Sequence, residues 1–456
     1  MTTSRRDLLK LGLLGTGSLL FSDFSFANTE ADFKSDPHFF LLLLMSGGAD
    51  NSYTFDARPL SMTKAGKIQN YWSKNGAQPI PWVGTNGQSC LTTPLINPLI
   101  PFKDRFSIIN GVHMTPSFDG HLQNMNFLFA GGPFGGDSFV PHLNLSQPDS
   151  LDGITQGTAI FANVNNHSRV VPLSPSAVAQ MSAKLKQIDP PAPGSELIDF
   201  VRSRMQLLGN GDGRFSKGSE FMLSGISTAP SLHRKLTSLT PPNANDSEER
   251  QLASLVGECF KLSIARSAVY TYQEEFDVHA AEAAKKQPET FATVVGKIAE
   301  LFKALSEIPF DSTRSLFDVT TVMVTSEMGR TMRVQGNPID NTGTNHNQFS
   351  NSVILGGKGI RPGLVVGASD LANETVTASK AHLSMDPIAE KLMGCPFDFA
   401  TMKTRTDMPE KYDLKDYLSM SSVINTIYSS FGVPQPMMRT LGRDLPIAPI
   451  LTGLLS

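Results

Sequence analysis

Cysteine, charge and long apolar runs are all scarce in this chain. Three cysteines occur in 456 residues, Cys90, Cys259 and Cys395, at wide spacing. That allows one disulfide at most and excludes both a disulfide-built scaffold and a thiolate metal cluster. Charged residues amount to 18%, 39 basic against 42 acidic, with no long basic run. A nucleic-acid footprint and a polybasic membrane patch are therefore not expected, and any anion must be held by local groups. At 40% apolar and 8% aromatic the composition is neither that of a disordered tail nor that of a polytopic membrane protein. The 37 glycines and 30 prolines follow no period, which argues for a loop-rich globular fold and against a solenoid or collagen-like array. The length accommodates one large domain or two to three small ones.

The N-terminus reads Ser4-Arg5-Arg6-Asp7-Leu8-Leu9-Lys10, an apolar stretch from Leu11 to Phe21, then Ser25-Phe26-Ala27. These are the three parts of an export signal. The apolar part is about half of the roughly 20 residues a bilayer span requires, so no permanent membrane span is expected, and cleavage is placed after Ala27. The paired arginines resemble the twin-arginine signal, with Leu8 in place of the usual Phe. That resemblance implies the twin-arginine export machinery as a partner and a periplasmic or otherwise exported location. Signal 1–27 and a single domain 28–456 follow as the expected organisation.

Phe39-Phe40-Leu41-Leu42-Leu43-Leu44-Met45, closed by Ser46-Gly47-Gly48, fits a strand buried on both faces, with a short core helix as the alternative. Phe106 to Val112, Val319 to Thr325 and Ser352 to Gly357 read as further strands, and His121 to Ala130 as a helix ended by Gly131-Gly132. Asp246 to Ala284 and Glu289 to Leu305 carry spaced apolar residues and predict a helical middle region, about 180–310. Strands alternating with helices predict an α/β fold with a mostly parallel sheet, whose ligands sit at the carboxyl ends of the strands.

Five segments bring titratable side chains to those ends. In Ser46-Gly47-Gly48-Ala49-Asp50 the glycines let backbone approach a ligand, and Asp50 either points into the site or caps a turn. Asp277 and His279 in Phe276-Asp277-Val278-His279 share one face of an extended segment, a spacing suited to a shared cation; the alternative is a solvated Asp and a surface His. Glu327 in Thr325-Ser326-Glu327-Met328-Gly329-Arg330 follows a buried strand and serves as metal ligand or base, or simply pairs with Arg330. His346 stands in the polar loop Gly343-Thr344-Asn345-His346-Asn347, as ligand or surface histidine. Ser117-Phe118-Asp119-Gly120-His121 leads into a helix, where free N–H groups hold an oxyanion or are satisfied by Ser117 or Asp119 as a cap.

In order and placement these segments resemble the alkaline phosphatase and sulfatase superfamily. More closely, the chain is similar to a large exported family within it, domain of unknown function 1501. That family is recognised by an Arg/Ser-Gly-Gly-Ala-Asp turn, an Asp-x-His element, Ser-Glu-x-Gly-Arg-Thr and a following Gly-x-Asp-His-x segment. The counterparts here are Ser46 to Asp50, Asp277 to His279, Ser326 to Thr331 and Gly343 to His346. The resemblance covers nearly all the mature chain, least well from about Leu143 to Asn243.

The resemblance implies a three-layer α/β/α sandwich of the alkaline phosphatase type with a helical middle insertion. It also implies a hydrolase using two divalent cations, Zn, Mn, Ca or Mg, about 4 Å apart, on a small anionic or polysaccharide-derived phosphate or sulfate ester. Asp277, His279 and His346 would hold one cation, and Asp50 and Glu327 the other, with a hydroxyl nucleophile. Ser117-x-x-Gly120-His121 resembles the Ser-x-x-Gly-His run of cofactor-independent phosphoglycerate mutases, which makes Ser117 the nucleophile. Aligned with the exported family instead, His121 falls on its Ser-His and Gly120 replaces the serine. Arg330 or Arg333 would bind a substrate oxygen. Three departures weaken the second cation site or the activity: Met328 where active phosphatases have His, Asn345 in place of Asp, and Gly120. They leave open a catalytically silent member acting as a periplasmic binding or assembly protein.

Overall fold

The computed structural model describes residues 36–59, 71–73, 76–114, 120–130, 139–143, 153–156, 170–172, 233–331, 344–371, 392–407, 413–432 and 448–456. The export signal, Ser117 and Arg333 lie outside them. The described residues fall into two compact units, one from 36–37 and 140–268, the other from 38–139 and 269–456.

The smaller unit holds the parallel strand pair Gly153–Gln156 and Val170–Pro172 and the helix Glu248–Lys261. Ser247 caps that helix by accepting from Arg250 N–H, and Glu248 and Glu249 favour its positive end. The helix stops at Leu262, with Ser263 in the left-handed region (φ 51°). Helix from 246 to 284 was expected, and the chain turns instead into a strand at Ser267–Thr271. The physical reason is its composition: Val269, Tyr270 and Thr271 are β-branched or aromatic and all buried, so sheet packing outweighs the helical pattern around them.

The larger unit is α/β with a mostly parallel central sheet. Its strands are β1 (Phe39–Leu44), β2 (Phe106–Ile109), β3 (Ser267–Thr271, from Val269 onward), β4 (Thr320–Thr325), β5 (Val353–Gly357) and β6 (Val365–Val366), in the spatial order β6-β2-β5-β4-β1-β3. β1 runs parallel to β4, from Phe39 opposite Thr320 to Leu44 opposite Thr325, and β6 is parallel to β2. β5 is antiparallel to both its neighbours, β2 and β4. Every residue of β1 and β4 is buried, as continuous apolar or β-branched runs in a parallel sheet require.

Helices α1 (His121–Ala130), α2 (Ala281–Glu307) and α3 (Met420–Ser430) belong to this unit. On α2, Phe291 stacks on Tyr53 (5.3 Å) and meets Phe276 edge-on (5.1 Å). One aromatic side chain thus ties the helix both to the turn after β1 and to the segment after β3. The three thiols are free, and among the described residues no helix is long and apolar enough to cross a membrane.

Candidate metal centre

The site is built at one end of the sheet because the register puts five chain segments there. Leu44 and Thr325 are paired, so the loops leaving β1 and β4 start side by side. Tyr272 N–H donates to Leu44 O (2.9 Å), which brings the segment after β3 to the same place. Ile354 opposes Val324 and Val353 opposes Ile109, so residues leading into antiparallel β5 and leaving β2 collect there too.

After β1 the chain turns through Gly47 (φ +114°) and Gly48 (φ +77°), conformations an L side chain rarely adopts. A Cβ on Gly47 would lie 2.7 Å from Asp277 N and 3.1 Å from Phe276 C. The glycine is what lets the turn pack on the Asp277 segment. Gly47→Ala is expected to cost about 2 kcal/mol or more through strain and backbone overlap, measured by urea unfolding; a change under about 0.5 kcal/mol would contradict this.

From Phe276 to His279 burial alternates, with Phe276 and Val278 buried and Asp277 and His279 exposed, as a period of two predicts. Thr344 N–H donates to Val278 O (2.9 Å) and secures this segment. The strands Gly329–Arg330 and His346–Asn347 pair antiparallel, with His346 opposite Arg330. His121 opens helix α1.

These elements converge on four donors, His121, Asp277, His279 and His346, whose ligand atoms lie within 4.8 Å of one another. His279 Nε2 is 3.0 Å from His346 Nε2 and 3.0 Å from Asp277 Oδ1. His121 Nε2 is 3.4 Å from Asp277 Oδ2, and its ring centroid is 4.4 Å from that of His346. His121 Nδ1 is bound to Glu327 Oε1 at 2.8 Å.

Arg330 is the largest buried polar side chain beside them. Its Nε donates to Gly48 O (2.9 Å), Nη1 to Thr344 O (3.3 Å), and Nη2 to both Gly47 O and Asp277 Oδ1. The Arg330 guanidinium, expected to grip a substrate oxygen, is buried here with its donors directed at three carbonyls and a carboxylate.

Asp50 was expected to share a cation with Glu327. Its buried carboxylate instead caps the turn Asn51–Tyr53, accepting from Ser52 N–H at 3.0 Å, and it is not among the clustered donors. Glu327 is also outside that donor set and is fully buried, accepting from Gly47 N–H (2.8 Å) and the Ser326 hydroxyl (3.0 Å) as well as His121. Met328, fully buried, contributes only a thioether.

The charges suit ligation. Burial would raise the Asp277 pKa, but the Arg330 hydrogen bond and charge, with His121 and His279, hold it below the usual carboxylate range. Burial and the Arg330 charge lower the pKa of His279 against the pull of Asp277, which favours the neutral ring that ligation requires. Burial lowers that of His121, but Glu327, by hydrogen bond and charge, and Asp277 outweigh it and raise it.

A family described as a protein of unknown function (DUF1501) matches residues 261–399. That span holds Asp277, His279, Glu327, Arg330 and His346, and leaves out the glycine turn and His121. No curated protein matches the chain. Among solved structures, the chain is similar to a protein of the alkaline phosphatase superfamily from Vibrio parahaemolyticus (10% identity, 94% of this chain and 97% of that one, TM-score 0.33). It is likewise similar to the lipoteichoic acid synthase LtaP from Listeria monocytogenes (10% identity, 89% and 84%, TM-score 0.32). A third is the PsFucS1 sulfatase from Pseudoalteromonas sp. (10% identity, 91% and 80%, TM-score 0.32).

Proposed function

We propose that this chain is an exported hydrolase that uses one bound divalent cation on a phosphate or sulfate ester. The carrying observation is the His121, Asp277, His279 and His346 cluster at the strand ends. Three imidazoles and one carboxylate are the donor chemistry of zinc, whereas calcium and magnesium favour all-oxygen shells. The buried His121 Nε2 makes no hydrogen bond, as a ligand nitrogen facing a cation would.

When bound, the cation would supply Lewis acidity toward an ester oxygen. Arg330 holds Asp277 ionised in its ligating position, and the Thr344 to Val278 hydrogen bond keeps Asp277 and His279 on one face. The Arg5-Arg6 signal supports export through the twin-arginine machinery. Ser117, four positions before His121 in sequence, remains the proposed nucleophile.

The test is hydrolysis of aryl phosphate and aryl sulfate by full-length protein supplied with Zn²⁺, Mn²⁺ or Ca²⁺, beside His346→Ala and Asp277→Ala, with metal content measured on the same samples. Zn²⁺-dependent turnover lost in both variants is the expected result. Equal residual rates in all three would discard the hydrolase.

A second reading, a metal-loaded binding or assembly protein without turnover, is favoured by the buried Met328 and the turn-capping Asp50, which leave the second cation of the superfamily without its ligands. Stoichiometric Zn²⁺ with no hydrolysis of either ester selects it.

A further inference from the structure

We infer that Glu327 does not ligate the cation but positions His121 to do so. This rests on the one-cation reading above. Three donors from three separate segments engage the Glu327 carboxylate: Gly47 N–H (2.8 Å) and His121 Nδ1 (2.8 Å) on Oε1, and the Ser326 hydroxyl (3.0 Å) on Oε2. Ser326 is itself fixed: its one hydroxyl proton is shared between Met45 O (2.7 Å) and Glu327 Oε2, and its oxygen accepts from Ala49 N–H (2.9 Å). The carboxylate is fully buried and hydrogen-bonded to the glycine turn.

A carboxylate only accepts, so the proton of the neutral imidazole sits on Nδ1 and the lone pair on Nε2. That Nε2 faces Asp277 Oδ2 at 3.4 Å, beside His346, and makes no hydrogen bond. A carboxylate, imidazole and cation in series is an arrangement in which the outer carboxylate sets the tautomer and raises the basicity of the ligand nitrogen. The glycine turn therefore shapes the cation site through Glu327 without contributing a ligand.

The test uses Glu327→Gln, Glu327→Ala, His121→Ala and the double variant His121→Ala with Glu327→Gln. Glutamine is nearly isosteric: its amide oxygen keeps the Gly47 and His121 bonds, and its amide N–H donates to Ser326 Oγ, leaving only the charge removed. Zn²⁺ affinity is read by competition with a chromophoric chelator. The His121 tautomer is read by ¹⁵N NMR of the metal-free protein, at a pH high enough that the ring, whose pKa is raised, is neutral.

Glu327→Gln is expected to weaken Zn²⁺ binding about 10- to 100-fold. Because Glu327 acts through His121, the double variant should bind within about two-fold of His121→Ala alone. The metal-free wild type should show the Nδ1–H tautomer, and Glu327→Ala a mixture. Additive losses in the double variant would make Glu327 a ligand in its own right and overturn the inference, as would an Nε2–H tautomer in the wild type. A wild type that takes up no Zn²⁺ removes the cation reading, and the tautomer then decides the positioning role by itself.

Discussion

Arg330→Ala is expected to remove about 3 to 5 kcal/mol of stability, the range seen when one member of a buried charged network is deleted. The loss would come mainly from what the guanidinium satisfies. Gly47 O, Gly48 O and Thr344 O each lose a donor, and a buried acceptor left unpaired costs about 1 to 3 kcal/mol. The Asp277 share is smaller because that carboxylate is 46% exposed and water replaces part of the interaction. Arg330→Lys should recover only part of the loss, since a single ammonium cannot spread three donors over carbonyls on the glycine turn and the Thr344 segment. Urea unfolding of both variants checks this. A loss below about 1 kcal/mol for Arg330→Ala would show that these carbonyls find other partners.

Asp50→Asn is expected to stabilise the protein above pH 6 and to do nothing near pH 4. Burial raises the Asp50 pKa from 3.8 to about 6, against the Ser52 hydrogen bonds and the Arg330 charge. A carboxyl whose pKa is raised by folding stabilises the fold fully only below its unfolded value. That contribution is lost as pH rises from about 3.8 through about 6. The span corresponds to about 3 kcal/mol, at 1.36 kcal/mol per unit. Asparagine keeps the turn cap through its amide oxygen and cannot ionise. Unfolding free energies at pH 4 and pH 7.5 should therefore converge between wild type and variant at the lower pH and separate by up to about 3 kcal/mol at the higher. A pH-independent difference would overturn the assignment. Zn²⁺ affinity should be unchanged, because the Asp50 carboxylate faces Ser52 rather than the clustered donors.

Much of the fold was legible because it rests on local composition. Phe39 to Met45 could only be a strand buried on both faces or a short core helix, and it forms the strand Phe39–Leu44. The runs at 106, 319 and 352 form strands Phe106–Ile109, Thr320–Thr325 and Val353–Gly357. The Asp277 and His279 pair on one face of an extended segment was likewise readable, because alternation is a property of two neighbouring residues. The strand Ser267–Thr271 was missed because its five residues lie inside the stretch 246–284, which reads as helical, and only sheet packing selects them. The antiparallel direction of β5 was equally hidden, since an apolar run carries no sign of its direction.

Side-chain chemistry was the part that sequence alone determined: a set of carboxylates and imidazoles following apolar strands, beside glycines that permit close backbone approach. Tertiary structure decided which of them meet. It placed His121 with Asp277, His279 and His346, turned Asp50 into a cap, and buried Arg330 under the glycine turn. The reason is that ligand geometry depends on strand register and on loop closure over hundreds of residues. Neither quantity is encoded at any single position, and both emerge only when the sheet has chosen its order and the burial of Phe276, Phe291 and Tyr53 has drawn the loops together.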